Sequence, residues 1–210
     1  MRVGVIDSGV HASHPHVNGV AGGVGITHDG REEADYVDRI GHGTAVTAVI
    51  REKAPDAAVF AVKIFYSGLA TRIEPLVCAI DWCLRHRMDV INLSLGTENP
   101  AHETVLRAAV DRVRASGALL VAAYEDASVD GRVRWLPGSL PGAVPVLVDW
   151  ECPRHEYRTS QLEDGRLVYH ASGYPRPIPG VPPERNLKGT SFAVANVTGL
   201  LAKTCVKLTC

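Results

Sequence analysis

Five short apolar runs, at residues 3–6, 59–65, 89–94, 118–123 and 144–148, dominate the pattern of this chain. Segments with helical spacing separate them. One begins at Gly41-His42-Gly43-Thr44 and is stopped by Pro55; a second repeats Ile73, Leu76, Val77, Ile80 and Leu84; a third repeats Val105, Leu106, Ala109, Val110 and Val113 and ends at Gly117. Parallel strands in one sheet need a long crossover between them, usually a helix. This alternation therefore predicts an α/β fold: a mostly parallel central sheet with helices on both faces, in three layers. Strands covered on both faces read as unbroken apolar runs, as these do.

The chain has 210 residues and is 46% hydrophobic, which suits one domain over 1–210 with a substantial core. A formal net charge of -1, with both signs scattered, gives no electrostatic footprint for nucleic acid. Five cysteines, an odd number without close pairs, suit neither a disulfide scaffold nor a zinc site. No metal or other cofactor is expected, the histidines His11, His14 and His16 included. No run approaches the roughly 20 apolar residues of a membrane span. Residues 3–6 are too short an apolar run for an export signal, so the expected location is cytoplasmic. A secreted protein trimmed of its signal and pro-segment would give the same sequence, and no pro-segment is recognisable within it.

Chemistry-bearing residues fall where this architecture puts sites. Val3-Gly4-Val5-Ile6 is closed by Asp7-Ser8-Gly9, so an acid stands at the carboxyl end of a strand. Residues 11–41 read as irregular, with a strand near 22–26, and His42 falls in the first turn of the helix that follows. Residues 152–188 read as a hairpin around Asp164-Gly165 and then a proline-rich extended loop. In the final segment, 189–202, small and polar residues give way to an apolar helical run, and Ser191 stands where loop becomes helix. A serine hydroxyl is a poor nucleophile until a base takes its proton, and the base needs an orienting group. Singly, each residue has a plainer reading: a turn-forming Asp, a locally bonded His, a helix-capping Ser.

Together, the patterns Val5-Ile6-Asp7-Ser8-Gly9-Val10, Gly41-His42-Gly43-Thr44 and Gly189-Thr190-Ser191-Phe192-Ala193 stand in the order acid, histidine, serine and closely resemble the subtilisin-like serine peptidases. Ser13-His14-Pro15 and Ile91-Asn92-Leu93-Ser94-Leu95-Gly96 extend the resemblance over nearly the whole chain. It implies a serine endopeptidase in which Ser191 attacks the scissile carbonyl, His42 carries the proton and Asp7 orients the imidazole. It also implies that Ser94, Leu95 and Gly96 bind a peptide or protein substrate as an added strand, with Ala122, Ala123 and Tyr124 completing the substrate cleft.

The resemblance breaks after Ala122-Ala123. Subtilisin-like enzymes usually continue with Gly-Asn, the asparagine donating to the oxyanion; this chain continues Tyr124-Glu125-Asp126. Either Glu125 or Asp126 then stands as the candidate donor, which requires a protonated carboxyl. Two expectations follow. One is a peptidase of restricted specificity, for example one that processes a precursor peptide; the other is a catalytically impaired relative that binds peptides for a partner.

Overall fold

The apolar runs become strands of one nine-stranded sheet in the computed structural model, which describes residues 1–125 and 135–206, with the side chains of residues 184, 205 and 206 excepted. In chain order the elements are β1 (Arg2–Asp7), β2 (Gly22–Ile26), β3 (Glu32–Glu33), α1 (His42–Lys53), β4 (Ala58–Lys63), α2 (Ile73–Arg85), β5 (Val90–Leu93), α3 (Glu103–Ser116), β6 (Leu119–Ala123), β7 (Ala143–Val148), β8 (Arg158–Gln161), β9 (Leu167–Ala171) and α4 (Thr190–Val206). The strand order is β3-β2-β4-β1-β5-β6-β7-β9-β8. All pairings are parallel except β2 with β3 and β8 with β9.

Side chains alternate across the strands and divide the core into two layers. Ile6, Ile91, Leu93, Leu120 and Ala122 pack with Leu76, Ile80, Leu106 and Val110 of α2 and α3. Val3, Val5, Val59, Val121 and Ala123 face the other way, against Val46, Val49 and Ile50 of α1 and Val194 and Val197 of α4. The three-layer expectation holds. α4 is apolar nearly all round because it is covered nearly all round: Phe192 through Thr198 are each at most 2% exposed. α3 ends at Gly117, whose left-handed backbone (φ 80°) closes the helix as a glycine after the last turn does. None of the described helices is long and apolar enough to cross a membrane.

The chain starts in the middle of the sheet. After β1 it runs to β2 and the edge strand β3, returns with β4 to the place beside β1, then crosses by way of α2 to β5 on the other side. The carboxyl ends of β1 and β5 therefore meet at the point where the winding reverses, which is where open α/β sheets form their crevices. Asp7 is the last residue of β1, and Ser94 follows the last residue of β5.

Candidate active site

Asp7 and His42 are joined. Asp7 is 1% exposed, accepts the Ser8 N–H at 2.7 Å, and accepts from His42 Nδ1 at 2.8 Å through one oxygen and 3.0 Å through the other. The acceptor-only carboxylate fixes the imidazole with its proton on Nδ1 and leaves Nε2 free to act as a base. Burial disfavours the charged imidazole, but the hydrogen bond and charge of Asp7, with the charge of Asp38, outweigh it and raise the His42 pKa above its usual range.

α1 reaches this position through two glycines with different physical roles. Gly41 has a left-handed backbone (φ 95°) and open space around it, so conformation is what it supplies. Gly43 supplies space: a Cβ there would sit 2.2 Å from the Gly9 carbonyl oxygen and 3.1 Å from Asp7 Cβ. Gly43→Ala is expected to push α1 away from the end of β1. A loss of about 1–3 kcal/mol in denaturant unfolding and slower cleavage through a lengthened Asp7–His42 bond are the readouts.

Sequence reasoning missed Asp38, which holds the two loops together. It is 8% exposed and accepts five hydrogen bonds: Ser8 Oγ, Ile40 N–H and Gly41 N–H on one oxygen, Thr44 N–H and Thr44 Oγ1 on the other, all between 2.6 and 2.9 Å. Ser8 Oγ in turn accepts the Gly43 N–H at 2.9 Å. The carboxylate thus ties the residue after Asp7 to both flanks of His42. Burial works against its charge, but the Thr44 hydroxyl and the backbone donors prevail and hold its pKa below the usual carboxylate value. The only advance signal was an acid four residues before His42.

Because the Asp38 pKa is depressed, its contribution to stability is complete above the ordinary carboxylate pKa and fades as pH falls through its folded value. Asp38→Asn is expected to cost about 2–3 kcal/mol, or roughly 5–10 °C in thermal midpoint. It is also expected to move the acidic limb of the cleavage rate to lower pH, since the imidazole loses one of the charges that raise its pKa. A pH–rate profile and a melting curve check both.

Ser191 is the second residue of α4 and lies against Ser94. Its hydroxyl donates to the Ser94 carbonyl at 3.2 Å, Ser94 Oγ donates to the Ser191 carbonyl at 3.3 Å, and among the described residues Ser191 and His42 share no hydrogen bond. The ring of the next residue, Phe192, lies 5.9 Å from the imidazole, centroid to centroid. Beneath this contact the buried Asn92 side chain donates to Ser94 Oγ at 2.8 Å and accepts from Thr198 Oγ1 at 2.9 Å, so β5 and α4 are fixed to one another. Asn196 Nδ2 donates to the carbonyls of Ser172 and Tyr174, and Gly189 N–H to that of Gly173, which anchors the turn before Ser191. As one of the first residues of a helix, Ser191 has no intrahelical partner for its N–H, and no described group accepts it.

The other predicted residues divide. Ser94, Leu95 and Gly96 are half-buried at the end of β5. Ala122 and Ala123, 0% and 2% exposed, belong to the two opposite core layers. Their side chains hold β6 in place and offer a peptide little surface. Tyr124 is half-buried, with its N–H on the Val146 carbonyl at 2.9 Å. Glu125 is exposed, and Asp126 lies outside the described residues. Among the described residues no three His, Cys, Asp or Glu side chains are grouped to hold a metal ion.

The family model described as the subtilase family matches residues 1–142, which include Asp7 and His42. Subtilisin DY of Bacillus licheniformis is 32% identical over 219 residues, covering 96% of this chain and 75% of that protein. Subtilisin E of Bacillus subtilis (strain 168) is 32% identical over 157 residues, 70% of this chain, but the match spans only 40% of its own length. Among solved structures, the nisin leader peptidase NisP from Lactococcus lactis shares the fold with a TM-score of 0.73 at 19% identity, over 100% of this chain and 78% of that one. The matched family model and the 32% identity with subtilisin DY over 96% of this chain place it in the subtilase family of serine peptidases.

Proposed function

We propose that the chain is a serine endopeptidase of restricted specificity that cleaves through Asp7, His42 and Ser191. The observation that carries the reading is the buried Asp7–His42 hydrogen bond, set beside a serine at the start of α4. Attack requires the Ser191 hydroxyl to leave the Ser94 carbonyl for His42 Nε2, a change of side-chain rotamer. His42 receives the proton as Ser191 Oγ bonds to the substrate carbonyl, and gives it to the leaving amine as the tetrahedral centre collapses to an acyl-enzyme. Water repeats the sequence in reverse. The Asp7 carboxylate, bonded to Nδ1, stabilises the imidazolium. The free Ser191 N–H donates to the oxyanion, helped by the positive end of α4.

The loop after β6 supports restricted specificity. It has no asparagine in the position usual for the family, and losing one oxyanion donor costs roughly 100- to 1,000-fold in turnover, a figure measured on subtilisin itself. Tyr124 stands half-buried where the family usually has glycine, and adds the bulk of a ring just after the end of β6. A dedicated precursor peptide, of the kind implied by the name nisin leader peptidase, is the first substrate class to test. Exposure of a mixed peptide pool to the protein should create new termini, read by mass spectrometry, that are absent with Ser191→Ala.

A second reading, a peptide-binding protein without turnover, draws on the Ser191 hydroxyl bonded to Ser94 and not to His42. It predicts equal peptide binding by wild type and Ser191→Ala, with no new termini from either.

A further inference from the structure

A groove of about 690 Å³ runs along the side of α1 facing away from β1, walled by the first turns of α1 and by the proline-rich segment 175–187. It contains neither His42 nor Ser191, but it starts beside both. Gly41, which immediately precedes His42, and Leu187, four residues before Ser191, line it. Its surface is unusually apolar for an open face, with Ile40, Ile178 and Leu187 exposed to 37%, 46% and 54%.

The far end is cationic. Arg176 lines both this groove and an adjoining recess of about 470 Å³ that also contains Arg51 and His16. Arg51 donates to the carbonyls of Gly19, Pro55 and Ala57, and Arg176 to that of His16. Most other arginines of the described residues are paired with carboxylates; these two have no carboxylate within ion-pair distance among the described residues. Arg39, also on the groove wall, is already neutralised by Asp35 at 2.7 Å. The Asp38 carboxylate is saturated by its five donors. The His16 pKa is held low by burial first, then by Arg176 and His14, against a smaller opposing effect of Glu52.

The direction of the reaction says which part of a substrate arrives here. His42 must deliver its proton to the leaving amine, so the peptide beyond the scissile bond departs past His42, while the part before it lies along Ser94, Leu95 and Gly96. The groove opens at Ile40 and Gly41, immediately beside the residue that delivers this proton. We propose that it holds the segment of the substrate that follows the scissile bond, with apolar side chains against Ile40, Ile178 and Leu187 and an acidic side chain on Arg176 and Arg51. The inference rests on the peptidase reading. It adds a substrate class to it: chains that are apolar, then acidic, after the cut.

The test is cleavage of a peptide library by the full chain, with cut positions read by mass spectrometry. Asp and Glu are expected to be enriched about tenfold within roughly six residues after the cut, a reach of about 20 Å for an extended chain. Arg176→Glu is expected to replace that enrichment with one for Lys and Arg, which only a folded and active protein can show. Cleavage with no acidic enrichment in wild type would overturn the inference and leave the peptidase reading standing. Acidic enrichment undiminished in Arg176→Glu would overturn it as well. Absence of any cleavage, together with absence of fluorophosphonate labelling at Ser191, would remove both readings.

Discussion

Ser191→Ala is expected to lower the rate of peptide cleavage by about a millionfold, His42→Ala by a similar factor, and the double substitution by little more than either alone. This is the scale found when the triad of subtilisin itself is broken. The prediction follows from the division of labour. Ser191 without a base is a weak nucleophile, and His42 without Ser191 has no proton to take. The first substitution therefore removes nearly all that the pair supplies. Single-turnover cleavage of one peptide by the three variants measures it. Additive losses would mean that the two residues act independently. Stability should change little in Ser191→Ala, because the hydroxyl lost makes one partly buried bond to Ser94.

Asp7→Asn is expected to lower turnover by about 10⁴-fold with a smaller change in KM. Both oxygens of Asp7 accept from His42 Nδ1, and one also takes the Ser8 N–H. An amide in its place offers an N–H to the ring and favours the tautomer with Nε2 protonated, which cannot take a proton from Ser191. It also removes the charge that stabilises the imidazolium. The sign of the pH effect is definite. A raised His42 pKa adds stability below the ordinary imidazole value and loses it as pH rises through the folded value, whereas catalysis needs the neutral ring and rises over the same range. Asp7→Asn should shift any residual acidic limb to lower pH, and steady-state kinetics over pH reads both effects.

The periodic parts of the fold were the legible ones. The helix closed by Gly117 and the hairpin around Asp164-Gly165 appear where spacing and turn chemistry put them, and the strand expected near 22–26 within an otherwise irregular segment is present. β3, two residues long, was not foreseen, since so short a run has no period. The parallel seat of β9 beside β7 was equally hidden, because the hairpin signal fixes β8 against β9 and says nothing about the next neighbour.

In the site, Asp7, His42 and Ser191 were legible because each sits in a local pattern. Asp38 was not: its donors come from Ser8, thirty residues away, and from Ile40, Gly41 and Thr44, so in the sequence it is one acid in a polar loop. The Asn92–Thr198 bond spans 106 residues and was hidden for the same reason. The groove beside α1 depends on the path of the proline-rich segment, and irregular backbone leaves no periodic trace.

The central claim is that Asp7 and His42 activate Ser191. Its most direct measurement is the rate at which a fluorophosphonate probe labels the protein across a pH series, with the modified residue located by mass spectrometry. The expected result is a single adduct on Ser191, forming faster as pH rises through a midpoint above the 6.5 of an unperturbed imidazole, and slowed by orders of magnitude in His42→Ala. No adduct at any pH, or an adduct that forms equally fast in His42→Ala, would contradict it.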